Sequence, residues 1–243
     1  MKNFKIYAFL SFLYLGSSSV LAQNQANGIK HPLSWEFQLG SNYLTNSNLS
    51  KNYPFQNANC VSGNFYTYVD FQIKSFTFRT GIGVASQNFG LNKMLVKNGD
   101  KTEFQNFNSN YNYRYSYFQK MFIEIPFGLT YATQYNKNHR CFEYEAGVKF
   151  GYLIYNESRY SVKNNNKEYS VFSENNLQQL NPFQFGTYVK FSSRKIQLNR
   201  ILGTSFSISS QYNFSQVFNN DNYTPTYSYS FMLGMGLFIN KTH

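Results

Sequence analysis

Phe142-Glu143-Tyr144-Glu145-Ala146-Gly147-Val148-Lys149-Phe150-Gly151-Tyr152-Leu153-Ile154 is the stretch that decides the fold. Its even-numbered residues are aromatic or aliphatic, whereas the odd-numbered ones are three charges, two glycines and a leucine. A helix would scatter both sets around its circumference, while a strand sends successive side chains to opposite faces and keeps the sets apart. The stretch therefore reads as a strand with one apolar face and one charged face.

Seven more stretches repeat the pattern. In chain order the apolar sets run over Trp35 to Leu39, Phe65 to Ile73, Phe76 to Val84, Met121 to Tyr131, Phe142 to Ile154, Phe183 to Phe191, Leu202 to Tyr212 and Tyr229 to Ile239. None of these positions is charged. The opposite faces collect Glu36, Asp70, Arg79, Lys120, Glu124, Glu143, Glu145, Lys149 and Lys190, with glycines such as Gly83, Gly128, Gly147 and Gly203.

Periodicity does not say which face is inside, because a soluble lipocalin-like barrel would turn the apolar set inward. Volume decides. Eight strands enclose a lumen just wide enough for side chains to fill, too narrow for so many Phe, Tyr, Leu and Ile. With charges and glycines inside and aromatics outside, the expected fold is all-β: an eight-stranded antiparallel up-and-down transmembrane β-barrel. The charged inner residues are expected to form a salt-bridged network, since buried charges are tolerated when paired and hydrogen-bonded. Inward Tyr66, Tyr68, Phe122, Tyr188 and Phe238 should obstruct any pore. Pro126, inside the fourth strand, lacks a ladder donor and predicts a bulge or irregularity there.

The composition agrees, with 20% aromatic residues against 14% charged. Residues 1–22 read as a cleaved signal peptide: Lys2 and Lys5 precede an apolar run, and Val20-Leu21-Ala22 offers a cleavage site. The barrel domain is then 23–243. Formal charge falls from +11 to +9 when the two lysines leave, which favours anionic headgroups. No dense basic run suggests nucleic acid, and an exported protein seldom meets it. The predicted location is the cell outer membrane, crossed repeatedly by strands, with outer-membrane lipid as a partner.

The connections alternate in length. Lys74-Ser75, a turn near Gln134 to Arg140, and a basic turn containing Arg194, Lys195 and Arg200 are short. Thr45 to Asn59, Asn88 to Ser116, Asn156 to Asn181 and Asn213 to Ser228 are long. With both termini in the periplasm, every long connection falls outside the cell. Cys60 and Cys141 then sit at opposite ends of the barrel and are expected to stay unpaired.

The segment Phe122-Ile123-Glu124-Ile125-Pro126-Phe127-Gly128-Leu129, with the closing Leu233-Gly234-Met235-Gly236-Leu237, resembles the PorT-like outer-membrane barrels of Bacteroidetes. The resemblance implies an integral outer-membrane protein and, for some relatives, a part in protein secretion across that membrane. It implies no catalytic site.

No catalytic, metal or cofactor site is predicted. His31, His139 and His243 all lie off the strands, so none projects beside a serine in a nucleophile-base pair. The same scarcity leaves no metal-ligand pattern. Glu143 and Glu145 share a face and raise the option of paired catalytic carboxylates, but nearby cations favour internal salt bridges. The candidate binding segment is the longest connection, where Lys93, Lys97, Lys101 and Arg114 accompany Tyr111, Tyr113 and Tyr115. Rigid aromatics beside positive charge suit a protein or envelope partner, including a secretion component. A narrow solute channel and a lipid-acting enzyme are the alternatives.

Overall fold

In a computed structural model the described residues are 33–45, 55–56, 60–73, 76–91, 93–98, 101–106, 112–133, 140–164, 167–174, 180–196, 202–217 and 226–239. The signal-like segment lies outside them. Twelve strands follow in chain order: β1 (Leu33–Leu44), β2 (Phe55–Gln56), β3 (Val61–Ile73), β4 (Phe76–Leu91), β5 (Lys93–Asn98), β6 (Lys101–Asn106), β7 (Asn112–Ala132), β8 (Arg140–Asn164), β9 (Lys167–Glu174), β10 (Phe183–Ile196), β11 (Leu202–Asn213) and β12 (Ser228–Ile239). Eight of them close a ring in the order β1, β3, β4, β7, β8, β10, β11, β12 and back to β1, every pair antiparallel. Closure leaves the barrel wall without an open edge.

The barrel is apolar outside and polar inside. Phe37, Leu129, Phe150, Phe206 and Leu233 are exposed on the outer face, whereas Glu36, Arg79, Glu124 and Lys149 are buried. Water would penalise such a skin. Along β8 the outward apolar run from Phe142 to Ile154 spans about 40 Å of strand at ~3.3 Å per residue. Tilted by ~45°, that covers about 28 Å along the barrel axis, close to a bilayer's hydrocarbon core. Aromatic pairs mark both margins. Tyr43 stacks on Tyr229 at 5.1 Å near the long connections, and Phe142 stacks on Phe191 at 5.7 Å near the turns.

The wall can bend because its largest inward rings lie on glycines. Tyr66 stands directly opposite Gly83, and a Cβ added there would overlap the tyrosine ring at Cδ1. Phe238 likewise faces Gly203, where an added Cβ would overlap its Cζ. The lumen accepts these rings because the neighbouring strand offers no side chain at that level.

The irregularity expected at Pro126 is present as a gap, and two other expectations need correction. Pro126 pairs with Lys149 in unbroken register on β8, so it sits at no bulge; the disturbance is a gap in the β4–β7 ladder, where Gly81 and Ile82 lack partners while the register on either side is unchanged. The missing amide explains a gap without a shift. Two of the long connections are largely strand: β4 runs on to Leu91, β7 begins at Asn112, β8 continues to Asn164, and β9 pairs back onto it. Tyr, Ser and Val in alternation favour extended pairing even beyond the apolar belt. Finally, Arg194 lies within β10 and points into the lumen, not into a turn.

Candidate functional site

The lumen is built in levels, and the charges crowd the half nearest the short turns. Arg79 on β4 stands directly opposite Asp70 on β3 and clamps it with two hydrogen bonds, Nε to Oδ1 at 2.6 Å and Nη2 to Oδ2 at 2.8 Å. The same guanidinium reaches Glu145 at 2.6 Å and Glu143 at 3.4 Å on β8. Arg194 closes the level beneath: its Nη2 lies 3.6 Å from Asp70, and its Nε lies 2.8 Å from Glu143 without the alignment of a hydrogen bond. Planar, permanently charged guanidinium suits this position, because one group can serve three carboxylates at once.

A second level joins opposite walls. Lys190 on β10 bridges Glu36 on β1 at 3.0 Å and Glu145 on β8 at 2.9 Å, while the Tyr188 hydroxyl donates to Glu145 at 2.5 Å. Ser207 and Gln38 also donate to Glu36. Above it, Lys149 donates to the Tyr66 hydroxyl at 2.9 Å and to Gln211 at 3.1 Å, with Glu124 at 3.8 Å. Tyr66 donates in turn to Glu124. Amides fill the next level, where Gln184 donates to Glu124 at 3.2 Å and to Asn213 at 2.9 Å. Higher on β8, Glu157 accepts from the Tyr155 hydroxyl at 2.7 Å.

Lys120 differs from the other inward cations. Among the described residues its ammonium meets aromatic faces, Phe89 at 5.4 Å and Phe122 at 5.3 Å, and no carboxylate. Below Glu157, the carboxylates Glu36, Asp70, Glu124, Glu143 and Glu145 balance Arg79, Lys120, Lys149, Lys190 and Arg194, all buried. A balanced, densely bonded interior is what a low dielectric demands of charges taken out of water. Sequence reasoning missed Arg194; its parity with Lys190 was the available signal.

The residues singled out for partner binding fall on other elements. Lys93 and Lys97 lie on β5 and Lys101 on β6, which form a separate two-stranded hairpin. Tyr113, Arg114 and Tyr115 lie on the part of β7 that pairs with β8 above the apolar belt, and Tyr111 is outside the described residues. Neither Cys60 nor Cys141 is in a disulfide, and the two stand at opposite ends of the wall. Burial pushes the Cys60 thiol up, which keeps it in its less nucleophilic form. Among the described residues, no three His, Cys, Asp or Glu are grouped so as to hold a metal ion.

Fold and lumen together define a class: a closed eight-stranded antiparallel barrel with an apolar skin and an ion-paired interior. No family model and no curated protein matches the chain. Solved structures similar to it include Neisserial surface protein A, 9% identical over 87% of this chain and 97% of that one, with a TM-score of 0.47. A major outer membrane protein from Thermus thermophilus is 11% identical over 87% of this chain and 100% of that one, with a TM-score of 0.44. The outer membrane protease OmpT of Escherichia coli is 9% identical over 87% and 96%, with a TM-score of 0.35.

Proposed function

We propose that the protein is an integral barrel of a bacterial outer membrane. It acts there as a non-conducting, non-enzymatic scaffold that binds a protein or envelope component with the chain beyond its apolar belt. The observation that carries this reading is the lumen itself, filled from wall to wall by the Arg79, Lys190 and Lys149 networks. Such a filling opposes solute passage, and its carboxylates are committed to cations rather than poised for proton transfer. The belt's width and its aromatic margins support a lipid setting.

Binding is then a property of the β5–β6 hairpin and the β7–β8–β9 ladder, which project past the belt and leave the barrel wall intact. Loops and projections on a rigid scaffold are where recognition usually resides. A link to secretion rests on the PorT-like motif residues. The test is a pair of measurements on the purified full chain. In planar bilayers it should give no unitary conductance, and steady channels would refute the scaffold reading. Replacing 92–111 by a short glycine-serine turn should leave a folded barrel that no longer captures its envelope partner. Undiminished capture would exclude the β5–β6 hairpin and leave the β7–β8–β9 ladder or the turn end as the binding surface.

A further inference from the structure

The turn end carries a feature that neither the lumen nor the projecting hairpins explain. Arg140 on β8 and Lys195 on β10 are directly opposite each other, and both are exposed. They leave the wall on its apolar side, sharing strand parity with Phe142 and Phe191, at the very margin of the belt. Two like charges set side by side oppose each other across a ladder. Here they also place two formal cations side by side on the outward face.

The apolar surface continuing from this pair is not flat. Val189 pairs with Ala146, and the small alanine among large rings leaves a groove of about 500 Å³. Tyr131, Tyr144, Phe191 and Ile208 help line it. The stacked Phe142 and Phe191 rings stand between groove and cations. From Arg140 to Ala146 is about 20 Å along the strand at ~3.3 Å per residue. At a ~45° tilt that is about 14 Å of depth, roughly one leaflet of hydrocarbon.

We infer that Arg140, Lys195 and the groove over Ala146 form a binding site for an anionic phospholipid, its phosphate on the two cations and an acyl chain along the groove. The charge complementarity and the one-leaflet spacing select this occupant over a free anion, which has no use for the groove, and over a zwitterionic lipid, which has no net charge. The inference rests on the membrane reading proposed above, with the turn end in the leaflet that supplies such lipids.

The experiment is native mass spectrometry of the full chain released from nanodiscs of equal phosphatidylglycerol and phosphatidylcholine. The wild type should retain phosphatidylglycerol preferentially. The double variant Arg140→Gln/Lys195→Gln should lose about thirtyfold of that preference, as expected for removing two interfacial charges. Arg140→Lys/Lys195→Arg should keep it, and Ala146→Phe should reduce retention by filling the groove with the charges unchanged. Failure of the wild type to enter nanodiscs would overturn the membrane reading itself. A wild type that inserts but retains both lipids equally, or a Gln variant that keeps the preference, would overturn the site. Undiminished retention by Ala146→Phe would overturn the groove's part in it.

Discussion

Replacing Arg79 by methionine tests whether the lumen is a bonded core or a wet polar passage. The change removes one buried guanidinium that contacts Asp70, Glu145 and Glu143. Glu145 keeps Lys190 at 2.9 Å and Tyr188, and Glu143 keeps Arg194 at 2.8 Å. Asp70 loses both short bonds of its bidentate clamp and retains Arg194 at 3.6 Å. The levels below Glu157 also change from balanced to one net negative charge. Removing one partner of a buried pair typically costs 3–5 kcal/mol, so Arg79→Met should destabilise the barrel by about that amount. Adding Asp70→Asn restores the balance and removes the worst-placed carboxylate, so the double variant should recover about half of the loss. Trp35 is the sole tryptophan and lies on β1, which makes urea unfolding in phospholipid vesicles readable by its fluorescence. A single-variant cost below about 1 kcal/mol, or losses at the two positions that simply add, would mean that water screens these charges. The structural role assigned to the network would then be wrong.

Polarity of the wall gives a second test. Val148→Arg, on the outer face near mid-belt, should cost roughly 2–4 kcal/mol and impair insertion, whereas Lys149→Gln keeps a polar group beside Tyr66 and Gln211 and should insert; equal yields in a detergent-folding gel shift would reverse the faces. Gly83→Ala drives a methyl against Tyr66 and the Phe65 carbonyl, so a loss of about 1–3 kcal/mol is expected, of which Tyr66→Ala in the same chain relieves only the share due to the ring, the Phe65 carbonyl staying in place. Cys60 and Cys141 should stay unlinked on non-reducing peptide mapping, because a disulfide needs Cα atoms within about 7 Å and these lie at opposite ends of the strands.

Much of the fold was legible because a strand has a period of two. Phe142 to Ile154 and the seven similar stretches told the two faces apart, and the volume of an eight-stranded lumen told inside from outside. The same parity placed Glu36, Asp70, Arg79 and Lys190 inward. The reach of the strands was less legible. The polar segments from Asn88 to Ser116 and from Asn156 to Asn181 look like loops by composition, yet most of each is paired, since ladder hydrogen bonds satisfy the backbone whatever the side chains are. Arg194 was read with Lys195 and Arg200 as part of a basic turn, although β10 runs to Ile196 and the parity of Arg194 already matched Lys190.

By itself, then, the sequence determined the closed, inside-out architecture and the membership of each face. Tertiary structure decided the level at which each inward side chain sits. That level depends on the stagger between strands, which no local pattern encodes: it brings Arg79 to Glu145 across 66 residues and Lys190 to Glu36 across 154. It leaves Lys120 among phenylalanines and sets Arg140 beside Lys195 at the margin of the belt. Parity is fixed by the chirality and pleat of a single strand, whereas height is fixed by how eight strands slide to close a ring, and that belongs to the whole chain.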